Sequence, residues 1–152
     1  MNLPVVKMID IPPAWLLAFA VLVWGLGQIM PMPGGTQAVR LLGTMIVAAG
    51  VGLIFLAAWQ FRQHKTTIIP HRHASSLITS GVFSITRNPI YLADAIILVG
   101  LCLRWGIVQG LVFVPLFVIL IQMRFIRDEE DRLRTAFGAE FETYVRNTRR
   151  WL

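Results

Sequence analysis

Two short runs hold most of the residues in this chain that could do chemistry. The first is Arg87-Asn88-Pro89-Ile90-Tyr91, with Asp94 three residues on. The second is the acidic run Asp128-Glu129-Glu130-Asp131, followed at a distance by Arg150. Pro89 suits the first position of a helix and Asn88 its cap. Arg87 then stands beside a helix N-terminus, a place that favours anions. Tyr91 and Asp94 share one face of that helix, with Leu98 and Cys102 above them. Asp94 is the only acidic residue inside an apolar stretch. Such a carboxylate faces a polar cavity or a partner, or, this close to a membrane edge, reaches into solvent.

The acidic run lies on a predicted helix that continues an apolar segment. Projected at about 100° per residue, Leu133 and Phe137 fall within about 20° of Ile126. Glu130 falls about 40° from Ile126 and Glu129 about 60° to the other side. Asp128 and Asp131 point away, where Arg127 and Asp131 are expected to pair on the surface. A carboxylate on the apolar side is costly without a partner. Two readings of Glu130 stand level: a buried pair with an arginine such as Arg87 or Arg150, or a carboxylate that holds a polar or cationic ligand.

The elements that must position these residues are apolar and long. The chain has 152 residues, of which 56% are hydrophobic and 14% charged. A soluble domain carries roughly a quarter charged residues, so the composition points to a membrane protein. Four spanning helices are expected, at about Pro12–Met30, Leu41–Phe61, Pro89–Leu103 and Ile107–Phe125. The third, about 22 Å long, is short for a hydrocarbon core of about 30 Å. Pro31, Pro33, Gly34 and Gly35 make a tight turn between the first two, and Gly81 is expected to turn with positive φ. The whole chain, 1–152, is expected to form one all-α domain: a four-helix membrane bundle with a polar loop and a helical C-terminal extension.

Lysine and arginine set the expected orientation. Arg62, Lys65, Arg72 and Arg87 lie in the loop before the third span, and Arg124, Arg127, Arg132, Arg134, Arg146, Arg149 and Arg150 lie in the tail. The other two loops hold only Arg40 and Arg104. The positive-inside rule puts both termini, the polar loop and the tail in the cytoplasm. Lys7 is balanced by Asp10 and no small-x-small site follows, so the first segment is not expected to be a cleaved signal. A short chain of this kind fits a bacterial plasma membrane.

Several classes are disfavoured. Cys102 is the one cysteine, which excludes an intramolecular disulfide and a cysteine-based zinc site. His71 and His73 are two apart in a loop without a nearby acidic ligand, so no metal is expected. The net charge of +6 is accounted for by orientation and by attraction to anionic lipid. Nucleic acid is not expected as a partner, since no aromatic and basic residues interleave. A soluble nucleotide-binding turn is not indicated either. The pairs Gly25/Gly27 and Gly50/Gly52 lie inside apolar spans, where helix packing is their expected role.

Taken together, Thr66-Thr67, Pro70-His71, Leu77-Ile78-Thr79-Ser80-Gly81-Val82-Phe83 and Arg87-Asn88-Pro89-Ile90-Tyr91-Leu92 make a first block. Glu129-Glu130, Leu133, Phe137-Gly138, Tyr144 and Arg150-Trp151-Leu152 make a second. With one apolar hairpin between them, these blocks resemble the isoprenylcysteine carboxyl methyltransferase and phospholipid methyltransferase superfamily of integral membrane enzymes. The resemblance covers roughly Thr66 to Leu152. It implies S-adenosylmethionine as cofactor, with S-adenosylhomocysteine as product, bound on the cytoplasmic side within 66–152. It also implies that His71, Leu77, Ser80, Gly81, Asn88, Pro89, Tyr91, Glu129 and Glu130 contribute to the cofactor pocket. Arg87, Tyr91, Asp94 and Arg150 are implied at the reaction or at the substrate, and Arg87, Tyr144 and Arg150 in binding substrate or in closing the tail over the site. Phe141, Ala93 and Thr148 depart from the family pattern.

The resemblance implies methyl transfer to a lipophilic or small apolar substrate among membrane lipids. Carboxyl O-methylation of a prenyl-cysteine-like group comes first. Phospholipid or other amine N-methylation, or thiol S-methylation, is the alternative. An amine or thiol acceptor must lose a proton, and Asp94, His71 or the glutamate pair could take it. From a different class, a non-catalytic scaffold or transporter subunit stays open.

Overall fold

A computed structural model describes residues 11–31, 35–64 and 76–152. Helix α1 covers Pro12–Ile29 and α2 covers Gln37–Gln63. A 3-10 turn at Gly81–Ser84 leads to α3, Pro89–Trp105. A second 3-10 segment, Val108–Val112, opens α4, Phe113–Ile121. One turn of π-helix, Gln122–Ile126, then joins α4 to α5, Arg127–Asn147. No strand occurs among the described residues; Thr86 and Arg149 make one isolated parallel bridge.

Local sequence explains where the helices start and stop. Proline occupies the first positions of α1 and α3, where no backbone donor is needed. The Thr36 hydroxyl accepts from the Val39 amide and caps α2. Gly106, at φ 73°, closes α3 in the left-handed region, its amide donating to Cys102 and Leu103 carbonyls. Asn88 stands at the N-cap of α3 but does not cap it with its side chain. Its amide nitrogen donates to the Arg150 carbonyl at 3.0 Å, so the side chain is oriented by the folded-back tail rather than by the helix it precedes.

Three helices among the described residues are long and apolar enough to cross a membrane: α1, α2 and the continuous run Val108–Asn147. From Val108 that run carries no charged residue until Arg124, and from Arg127 it is dominated by charged residues, the pattern expected of a helix that continues past the lipid. Four spans were expected. The remaining one, α3, has 17 residues, about 25 Å of helix. It packs between α1 and α2 and is the most enclosed helix, with Leu98, Cys102 and Ala93 fully buried.

Lipid is as apolar as leucine, so close backbone approach does much of the work of joining these helices. Gly43 and Gly50 of α2 face Gly100, Ala93 and Ile97 of α3, and a side chain at Gly43 would collide with the Arg104 backbone. Of the glycine pairs expected to pack, Gly50 lies against α3 and Gly27 against Ile107, while Gly25 and Gly52 face open space. A single small residue per turn suffices for contact, and its neighbour two positions on points elsewhere.

Glycine also shapes the tail. Gly138 sits at φ 50°, ψ −120°, a conformation that breaks α5 and turns the chain back. Arg134 bridges the break, with Nε on Glu142 at 2.6 Å and Nη1 on Asp131 at 3.0 Å. The expected Arg127–Asp131 pair gives way to Asp131–Arg134, because the kink brings Glu142 and Arg134 together and draws the arginine to that side. Past the kink, Phe141 and Tyr144 pack with Phe83, Ile78 and Ala57 beneath the loop. Gly81 turns with φ 57°, as expected, and lies against the Gln60 side chain.

Candidate active site

Neighbouring glutamates in α5 meet different surroundings. Glu130 is 8% exposed and lies between two arginines. Its Oε1 accepts from Arg87 Nη2 at 3.0 Å and from Arg150 Nε at 2.9 Å, and its Oε2 accepts from Arg150 Nη2 at 2.5 Å. Burial opposes its ionisation, but the bidentate Arg150 and the nearby Arg87 outweigh it and hold the carboxyl below its usual range. Glu129 meets the Tyr91 hydroxyl, which donates to its Oε2 at 2.9 Å. Burial raises the carboxyl of Glu129 above its usual range, against the opposing pull of the Tyr91 bond and the Arg132 charge.

Arg87 is the node of the tail. Its Nη1 donates to the carbonyls of Thr148 at 2.8 Å and Val145 at 3.1 Å, and its backbone amide to Arg149 at 2.9 Å. The Thr86 hydroxyl and the Asn88 amide both reach the Arg150 carbonyl. Tyr144 donates to the Phe83 carbonyl at 2.6 Å, and Trp151 Nε1 to Gln122 Oε1 at 3.1 Å. Bonds from five residues thus fasten the last turn of α5 and the segment after it to the 3-10 turn, the start of α3 and the π turn.

A cavity of about 340 Å³ lies at this membrane edge. Its walls come from the start of α1 (Ile11–Pro13), Phe61, Phe83, Arg87–Tyr91 and Glu129. Phe61 and Phe83 stack edge to face at 5.2 Å, making one apolar side. Among the described residues that line it, Glu129 is the one carboxylate. Arg87 Nε is buried without a hydrogen-bond partner. One helical turn past Tyr91, Asp94 is 2% exposed and its Oδ2 likewise has no partner. Asp94 is therefore enclosed and does not reach into solvent.

The cavity brings together Arg87, Asn88, Pro89, Tyr91 and Glu129 of the residues expected at the site. Leu77, Ser80 and Gly81 do not line it: Leu77 packs with the Phe83 cluster, and Ser80 and Gly81 form the exposed turn above. Glu130 and Arg150 stand behind the wall, bound to each other. His71 lies outside the described residues. Sequence reasoning missed Ile11–Pro13, Phe61 and Phe83, whose apolar side chains carry no chemical signature. Only the helix start at Pro12-Pro13 hinted that α1 begins at the edge that holds the polar loop.

An all-helical integral membrane protein with a mostly apolar cavity and a partly buried carboxylate at one membrane edge is thereby defined. A family model described as phospholipid methyltransferase matches residues 38–140, and the chain belongs to that family, within the superfamily of the isoprenylcysteine carboxyl methyltransferases. Its members are membrane methyltransferases that use S-adenosylmethionine. No curated protein and no solved structure matches the chain. The matched segment contains Arg87, Asn88, Tyr91, Asp94, Glu129 and Glu130, and stops short of Arg150.

Proposed function

We propose that this protein transfers a methyl group from S-adenosylmethionine to a lipophilic acceptor at the membrane edge where Glu129 and Tyr91 meet. The observation that carries this is the hydrogen-bonded carboxylate of Glu129, the one carboxylate among the described lining residues of a mostly apolar cavity of ligand size. The residues fit the cofactor. Glu129 offers a carboxylate for an ammonium or ribose hydroxyl, Arg87 Nε an unpaired donor for a carboxylate, and Phe61 with Phe83 an apolar wall for an adenine ring. When bound, the cofactor supplies an electrophilic methyl on a sulfonium. The chain's own part is to align the acceptor and to exclude water, which supplies a large share of such a rate. With the lysine and arginine excess at this edge, the site faces the cytoplasm, α3 makes the fourth crossing, and the membrane is a bacterial plasma membrane.

Where the arginines go bears on the acceptor. A carboxylate acceptor wants an arginine to orient it, and Arg87 and Arg150 turn their guanidinium ends to Glu130. The one guanidinium donor to spare at the cavity, Arg87 Nε, goes to the cofactor's carboxylate in this reading, and the acceptors to spare are Glu129 and, a turn deeper, Asp94. This supports an amine or thiol acceptor, which must shed a proton, ahead of a prenyl-cysteine-like carboxylate. Asp94 is the proton acceptor in this reading and Glu130 a positioning residue.

Titration calorimetry of S-adenosylmethionine and S-adenosylhomocysteine into detergent-purified protein tests the reading, with Glu129→Gln alongside. Saturable binding that the variant loses supports it, and a turnover screen of lipophilic amines, thiols and prenyl-cysteines then ranks acceptors. Absence of binding by folded wild type, in detergent and in lipid nanodiscs, leaves the scaffold reading in its place.

A further inference from the structure

A second, smaller cleft of about 170 Å³ lies at the other end of the bundle. It forms where α1 ends, α2 begins and α3 ends, about one α3 length, roughly 25 Å, from Glu129. Gln28, Pro31, Arg40, Trp105, Ile107 and Gln109 line it. We propose that this cleft binds a phosphate group flanked by a hydrogen-bond donor, the chemistry of a phospholipid headgroup in the opposite leaflet.

Two observations carry this independently. Arg40 is exposed, and its one side-chain bond among the described residues runs from Nε to the Gly35 carbonyl at 3.4 Å. Apart from Asp94, the described acidic residues all lie in α5, at the far edge, so both Nη groups remain for an anion. Gln109 supplies the second observation. Its Nε2 donates to the Met30 carbonyl at 3.0 Å, which fixes the amide and leaves Oε1 buried without a donor. A buried acceptor left in that state is costly, and a ligand hydroxyl or ammonium beside the phosphate would satisfy it. Trp105, at the end of a spanning helix, has the amphipathic ring that suits headgroup depth.

Native mass spectrometry of the full chain released from detergent tests this, with phosphatidylglycerol, phosphatidylcholine of the same acyl chains, and inorganic phosphate as probes. Wild type is expected to retain phosphatidylglycerol, and Arg40→Gln to retain it roughly tenfold less or weaker still. Phosphatidylcholine has no hydroxyl or N–H donor and is expected to bind less well, a preference that Gln109→Met removes. Circular dichroism checks that both variants fold. Glu129→Gln, in the other cavity, is expected to leave retention unchanged. Equal retention by wild type and Arg40→Gln overturns the site. Retention of inorganic phosphate alone, displacing phosphatidylglycerol, keeps the anion chemistry but overturns the lipid as its source.

Discussion

Tyr91 of α3 and Glu129 of α5 are 38 residues apart in sequence and meet hydroxyl to carboxylate at 2.9 Å. The contact closes one wall of the cavity and fixes which oxygen of Glu129 is left for a ligand. Tyr91→Phe removes one hydrogen bond and little packing, since the ring keeps its place beside Phe125. Calorimetry should show S-adenosylhomocysteine affinity reduced about three- to tenfold. Glu129→Gln should weaken it more, about ten- to a hundredfold, because a charged acceptor is lost. Unchanged affinity in Glu129→Gln would move the cofactor out of this cavity.

The protonation of Glu129 gives that binding a pH signature. Burial raises this carboxyl above its ordinary value, so part of the population is neutral at pH values where a solvated glutamate is ionised. A cationic ligand binds the ionised form better. Its affinity should therefore rise with pH above the ordinary glutamate range and level off once Glu129 is ionised. The expected outcome is that Glu129→Gln flattens this dependence in calorimetry between about pH 5 and pH 8. A wild-type profile that is already flat would place the cofactor's cation elsewhere.

Glu130 should behave differently from its neighbour. Removing one partner of an enclosed ion pair leaves the other charges uncompensated, at about 3 kcal/mol or more. Glu130→Ala should lower thermal stability in detergent whether or not cofactor is present, and Arg150→Ala should do so by less, since Arg87 still holds the carboxylate. The acid limb follows from sign. The folded state depresses this carboxyl, so the stabilisation is fully present above the ordinary glutamate value. It fades as pH falls through the lower folded value. Thermal melts from pH 7 down to about pH 3 should show a loss in wild type that is blunted in Glu130→Ala.

Much of this arrangement was legible in the residues, within limits that are physical. The pair Pro12-Pro13 and the run Arg87–Pro89 marked where α1 and α3 begin, and the acidic run marked where the last apolar helix turns charged. The projection from Ile126 placed Glu129 and Glu130 on the inner side, and both are indeed shielded. Adjacent residues differ by about 100°, so the same projection could not tell the cavity carboxylate from the ion-paired one. Arg87 and Arg150 were nameable as partners, but the tail's hold on the loop runs largely through backbone carbonyls, which no side-chain pattern encodes. The π turn at Gln122–Ile126 was equally silent, since it adds one residue to a turn without a composition of its own. The cavity's outer wall, from α1 and Phe61, depends on helix packing between apolar segments whose sequences are interchangeable in lipid.

Gly138 decides whether the tail reaches the site at all. Its φ of 50° is unfavourable for any residue with a Cβ, although the surrounding space is open. Gly138→Ala should therefore act through backbone strain alone, at about 1–3 kcal/mol. A straight α5 would carry Tyr144 and Arg150 away from Phe83 and Glu130. The variant should lower the melting temperature and speed proteolysis after residue 138, while the helix content of the spans persists. Wild-type melting and protection would show that the kink is incidental to the fastening of the tail.

Asp94 separates the acceptor classes. It is enclosed by the bundle, one turn from Tyr91, with Oδ2 unpartnered. An asparagine keeps the shape and removes the proton acceptor. If Asp94 takes the acceptor's proton, Asp94→Asn should bind S-adenosylhomocysteine as wild type does and lose turnover of an amine or thiol about a hundredfold or more. Turnover of an acceptor already deprotonated, such as a carboxylate, should be spared, and residual amine turnover should recover at higher pH as free amine accumulates. A purely structural Asp94 predicts something else. Neutralising an uncompensated enclosed carboxylate then raises the melting temperature and leaves kcat alone for every acceptor. Stability and kcat measured on the same preparation, with an amine and a carboxylate substrate in parallel, divide the two, and undiminished amine turnover across pH would remove Asp94 from the chemistry.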